Sequence, residues 1–152
     1  MNGQAPNPYL KTKILTASPQ ELRLMLYDGA IKFCHQAKAS LAKQDFEAAY
    51  NNLMRAQKIV LELSTSLNPE IEPDLCQKLS ALYTYIYRLL VDANMNRKEA
   101  PIDEAIKLLD YERQTWKMLI QRLAEQGGRK ASDPNDVVGA QQTAISSLSN
   151  PK

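Results

Sequence analysis

The chain has one histidine and two cysteines, so the chemistry open to it is narrow. In His35-Gln-Ala-Lys38-Ala39 a lysine follows the imidazole by one helical turn. That pairing suits phosphoryl transfer onto the ring, as in histidine phosphotransfer bundles. Those place glycine after the lysine, where Ala39 stands here. A chance His-x-x-Lys is common in a lysine-bearing helix, so a surface or edge histidine is the favoured reading. Three residues before His35 stands Lys32, which removes the Glu-x-x-His of di-iron bundles. Cys34 and Cys76 sit singly in apolar helical patterns and make no paired-cysteine zinc pattern. They read as small buried hydrophobes of a reducing compartment, with a disulfide open only if their helices are neighbours. Gly29 is the sole glycine between Thr16 and Gln126, so no glycine-rich phosphate loop exists there. The residues point to no catalytic group, no metal and no cofactor.

The stronger signal is apolar surplus on helical elements. Ser18-Pro19-Gln-Glu21 is a capping box with proline in the first helical position, and it opens a helix expected from about 19 to 43. Leu22, Leu26, Ala30, Phe33, Ala37 and Leu41 make one stripe. Leu24, Tyr27, Ile31 and Cys34 make a second. Gly29 costs about 1 kcal/mol there relative to alanine, and a close approach of another backbone would explain it. Asp45 caps a second helix, 46–67, with Phe46, Ala49, Leu53, Ala56, Val60, Leu63 and Leu67 as its seam. Pro69 and Pro73 break the chain before a third helix, 74–97, with a seam through Leu75, Leu79, Leu82, Ile86, Leu89 and Ala93. A fourth, 102–126, carries Ile102, Ile106, Leu109, Trp116, Ile120 and Leu123, with Arg113 at the edge of the same seam.

These elements predict an all-α fold, an antiparallel up-down four-helix bundle over residues 16–126. Residues 1–15 are expected as an extended N-terminal arm, and 127–152, rich in Ser, Asn, Gln and Asp, as a disordered tail. A net charge of +2 argues against nucleic acid as the main partner. No apolar run reaches membrane-spanning length and no secretion signal is visible, so a cytoplasmic protein is expected.

A bundle needs one apolar stripe per helix, and this chain offers more. Tyr50, Met54 and Leu61 are left over on the second helix, and Tyr83, Tyr87 and Leu90 on the third. They are the expected lining of a groove for an apolar partner segment, since Tyr and Met supply area and adaptable shape. Tyr9, Leu10 and Ile14 are too apolar for a free arm and form the expected lid over that groove. An apolar stripe of this kind also allows a weak homodimer.

Thr16-Ala-Ser-Pro-Gln-Glu-Leu and Met25-Leu-Tyr-Asp-Gly-Ala30 recur in order with Ala56-Gln-Lys-Ile59, Glu62-Leu63 and Leu67. Leu82-Tyr83-Thr-Tyr85, Leu90, Ala93-Asn94 and Trp116 complete the set. From Tyr9 to Leu119 this resembles the flagellar secretion chaperone FliS family. The resemblance implies a helical bundle that binds the C-terminal segment of flagellin 1:1 in the cytoplasm. It also implies that such binding stops early polymerisation and aids delivery to the export gate of the flagellar type III apparatus. It aligns Tyr9 with a tyrosine implicated in gating the groove and in contact with that gate. The loop Asn68–Pro73 lacks the glycine common in relatives, and the tail after Gly128 is longer than expected.

Overall fold

The structure, a computed structural model, describes residues 7–68, 70 and 73–127. These residues form five helices and no strand: α1 (Pro8–Thr16), α2 (Pro19–Ala42), α3 (Phe46–Thr65), α4 (Pro73–Asn96) and α5 (Ala100–Gln126). The expected count of four is corrected by α1, because the arm is helical from Pro8 onward. Asn7 caps it, its side chain accepting from the Tyr9 N–H at 3.0 Å, and Pro8 follows in the first turn. In this structure Tyr9, Leu10 and Ile14 of α1 are exposed. No residue of α1 is buried, and Tyr9 is 75% exposed. The tail expected over 127–152 lies, Gly127 excepted, outside the described residues.

The other starts follow their residues. Ser18 Oγ accepts from the Glu21 N–H at 3.1 Å, while the Ser18 N–H donates back to the Glu21 carboxylate at 3.3 Å. Asp45 accepts from the Ala48 N–H at 3.1 Å. Helix α2 ends on Gln44 at φ 57, with the Asp45 N–H donating to the Ser40 carbonyl and the Gln44 N–H to that of Leu41. Arg97, φ 52, closes α4 likewise, with the Lys98 N–H reaching the Ala93 carbonyl.

Packing joins α2 to α3, α3 to α4, α4 to α5 and α5 back to α2. Along α2 and α5, Gln20 meets Trp116, Asp28 meets Arg113 and Lys38 meets Asp103, so these two helices run in opposite directions. Arg23 with Ser66 and Gly29 with Ile59 give the same order for α2 and α3. The neighbour at Gly29 is a side chain rather than a backbone. A Cβ there would lie 3.2 Å from Ile59 Cδ1.

The buried line of each helix is close to the expected seam and offset in three of the four. On α2 it runs through Tyr27, Ala30, Cys34 and Ala37, between the two stripes, so that both are half-buried on its flanks. On α4 Tyr83 and Leu90 are buried where Leu82 and Leu89 were expected, and those two are half-buried. On α5 Ala105 and Leu119 take the inward places expected of Ile106 and Ile120, Glu112 is buried beside them, and Arg113 lies half-buried at the edge as expected. Cys34 and Cys76 are both buried and form no disulfide, and the Cys76 thiol donates to the Asn68 carbonyl at 3.1 Å.

Candidate functional site

The outer face between α3 and α4 carries apolar surface along its length. Phe46, Tyr50 and Leu61 of α3 are exposed, and Tyr87 and Val91 of α4 are half-buried. Two hollows open on this face. One, of about 120 Å³, lies where α3 starts and α4 ends, and is lined by Leu41, Phe46, Ala49, Tyr50, Leu53, Ala93, Asn94 and Arg97. The Arg97 guanidinium stacks on the Phe46 ring, its central carbon 3.9 Å from the centroid. The other, of about 130 Å³, lies toward the end of α3 between Val60, Leu61, Ser64, Tyr83, Thr84 and Tyr87.

The six residues expected to line a groove divide across these places. Tyr50 lines the first hollow, and Leu61, Tyr83 and Tyr87 the second. Met54 is half-buried on α3 and lines neither. Tyr83 is 1% exposed and Leu90 0%, so both are core residues here, Tyr83 contributing only the floor of its hollow. The reason is the offset of the α4 seam, which turns 83, 86, 90 and 93 inward. Tyr9, Leu10 and Ile14 cover neither hollow.

Periodicity did not reveal a polar cluster under the second hollow. Arg23 Nη2 donates to Tyr83 Oη at 2.7 Å, and Nη1 to Ser66 Oγ at 2.8 Å. The phenols of Tyr27 and Tyr83 share a hydrogen bond of 2.5 Å. The guanidinium also faces the Trp116 ring at 5.2 Å, and Trp116 Nε1 donates to the Gln20 carbonyl at 2.9 Å. Burial pushes the Tyr27 and Tyr83 phenols up, Tyr27 well up, so both stay neutral. Burial likewise raises the Glu112 carboxyl, against the pull of the Arg23 charge. Burial opposes charge on Arg23 too, but the two phenolic oxygens outweigh it and its pKa is raised. The cluster thus ties α2, α4, α5 and the end of α3 together beneath the surface. The available clue was the placing of Arg23 and Glu112 among apolar stripes.

His35 is exposed on α2, and Lys38 pairs with Asp103 at 2.5 Å, so the lysine of the phosphotransfer spacing is engaged across to α5. Among the described residues, no group of three or more His, Cys, Asp or Glu side chains gathers to hold a metal, and no helix is long and apolar enough to cross a membrane.

Comparison with known proteins agrees with this architecture. Residues 1–123 match the family model described as flagellar protein FliS. The flagellar secretion chaperone FliS of Bacillus subtilis (strain 168) is 38% identical over 118 residues, covering 76% of this chain and 87% of that protein. Its namesake in Campylobacter jejuni is 33% identical over 116 residues, covering 76% and 91%. That of Salmonella typhimurium is 30% identical over 121 residues, covering 79% and 90%. With a family match over most of its length and relatives above 30% identity, the chain belongs to the FliS family.

Proposed function

We propose that this protein is a cytoplasmic export chaperone that binds the C-terminal segment of flagellin, 1:1, along the α3–α4 face. The carrying observation is the run of Phe46, Tyr50, Leu61 and Tyr87, exposed or half-buried apolar surface with two hollows, on a chain of the FliS family. We read the four long helices as one antiparallel up-down unit with α1 appended. The bound segment folds against this unit, which keeps it from polymerising early, and the pair is delivered to the flagellar export gate without a catalytic step. Burying about 1,500 Å² of apolar surface contributes up to roughly 35 kcal/mol gross. Ordering the segment offsets much of that gain, so the net affinity stays moderate and the client is releasable. Tyr50, Leu61 and Tyr87 contact the client directly. Met54 borders the contact, and Tyr83 and Leu90 support it from beneath.

Calorimetry with a flagellin C-terminal peptide tests this. Saturable 1:1 binding with a gain in helical circular dichroism supports it, and no binding at high micromolar peptide overturns it. The arm is the proposed gate, with Leu10, Ile14 and Tyr9 of α1 closing over the face when no client is present. Their exposure supports this, because it leaves them without a partner on the body. Deleting residues 1–15 should then tighten peptide binding, and equal or weaker binding removes the gate.

A further inference from the structure

The hollow where α3 starts and α4 ends has a mixed lining, its accessible surface more polar than apolar. Leu41, Ala49, Leu53 and Ala93 line it, which leaves room for one aliphatic side chain. At its mouth stand Arg97, Tyr50 and Asn94. The central carbon of the Arg97 guanidinium sits 3.9 Å from the centroid of the Phe46 ring, a cation–π contact that leaves its N–H donors available to a carboxylate. Among the described residues, Arg97 makes no ion pair and the Tyr50 hydroxyl no hydrogen bond.

A planar cation with free donors beside a pocket for one apolar side chain is complementary to a carboxylate attached next to such a side chain. A peptide's last residue has that form. We propose that this hollow binds the C-terminal residue of the client, its side chain in the pocket and its α-carboxylate on Arg97 and Tyr50. The inference rests on the client reading above and gives that client a direction. Its chain end sits by Phe46 and Arg97, and the preceding residues run along the face toward Leu61 and Tyr87.

The test compares one flagellin C-terminal peptide as the free acid and as the C-terminal amide, titrated into the full chain by calorimetry. The acid should bind about tenfold tighter, a gap that narrows at high salt. In Arg97→Gln the acid should fall to the affinity of the amide. Arg97→Lys, which keeps the charge without the planar fork, should retain part of the gap. Equal binding of acid and amide to the unmodified protein overturns the inference and leaves the client reading standing. A gap that survives unchanged in Arg97→Gln places the carboxylate elsewhere and overturns it too. If neither peptide binds, both readings fall.

Discussion

Glu112 is a carboxyl held above its ordinary pKa by burial, with the Arg23 charge only partly opposing. A raised carboxyl binds its proton more tightly folded than unfolded, so folding takes up a proton between the two pKa values. Its contribution is therefore most favourable at acidic pH, and is lost as pH rises through the unfolded value toward the folded one. Glu112→Gln removes that loss. In urea melts the variant should be at least as stable as the parent at pH 7, and its advantage should shrink as pH falls below about 4, near the unfolded Glu pKa. A variant less stable at pH 7 than at pH 4, relative to the parent, would show that the Arg23 attraction dominates. Heptad counting from Leu109 falls on Arg113, which lies at the edge with Asp28 as expected, but it misses Glu112, which the fold turns inward. Periodicity cannot tell a three-residue step from a four-residue step at one position. The deciding partner, Arg23, comes from a helix remote in sequence.

Helix ends were legible because capping is local. Ser18, Glu21 and Asp45 act within three residues of themselves, and the structure shows each bond. The ends at Gln44 and Arg97 were less so, because both hold a left-handed conformation that glycine usually supplies. Gln44→Gly should stabilise the protein by about 1 kcal/mol by relieving that conformation. Arg97→Gly should gain less, since it also removes the stack on Phe46. Denaturant midpoints of the two variants check both the sign and the order. Gly29 poses the reverse question, because alanine gains about 1 kcal/mol of helix propensity but meets Ile59 Cδ1. Gly29→Ala should fall short of that gain in the parent and approach it in an Ile59→Val background, where the crowded methyl is gone. A double-mutant cycle measures the coupling. Helicity of residues 8–16 escaped the sequence reading because the prolines before Tyr9 were read as a mark of extended chain. Pro8 stands instead at a helix start.

As a whole molecule the chain needs no covalent staple. Both cysteines are buried without a disulfide, and burial pushes the Cys34 thiol up to about 12. A thiolate is the reactive form, so neither cysteine should react readily with a thiol reagent in the folded protein. Labelling should track global unfolding across a denaturant series, and fast labelling without denaturant would show local opening of α2 or α4. The bundle and its neighbour relations were readable from stripes and short loops. The binding face was readable only in part, because leftover apolar residues do not reveal which way a helix is rotated. Tyr50, Leu61 and Tyr87 stayed at the surface, while a small rotation of α4 took Tyr83 and Leu90 inside.

The joint between α1 and α2 is two residues, Ala17 and Ser18. Nine helical residues span about 14 Å, whereas α3 runs about 30 Å from one end to the other. Helix α2 starts beside the end of α3, where Arg23 meets Ser66. On the gate reading proposed above, α1 by itself is long enough to cover the hollow at Ser64 and Tyr87 and too short to span to the one at Phe46 and Arg97. On that reading, closure of α1 leaves the far hollow as a toehold. An arriving chain end could anchor at the far hollow first and then peel the arm away residue by residue. The arm would then set how tightly a client is finally held more than whether it can begin to bind.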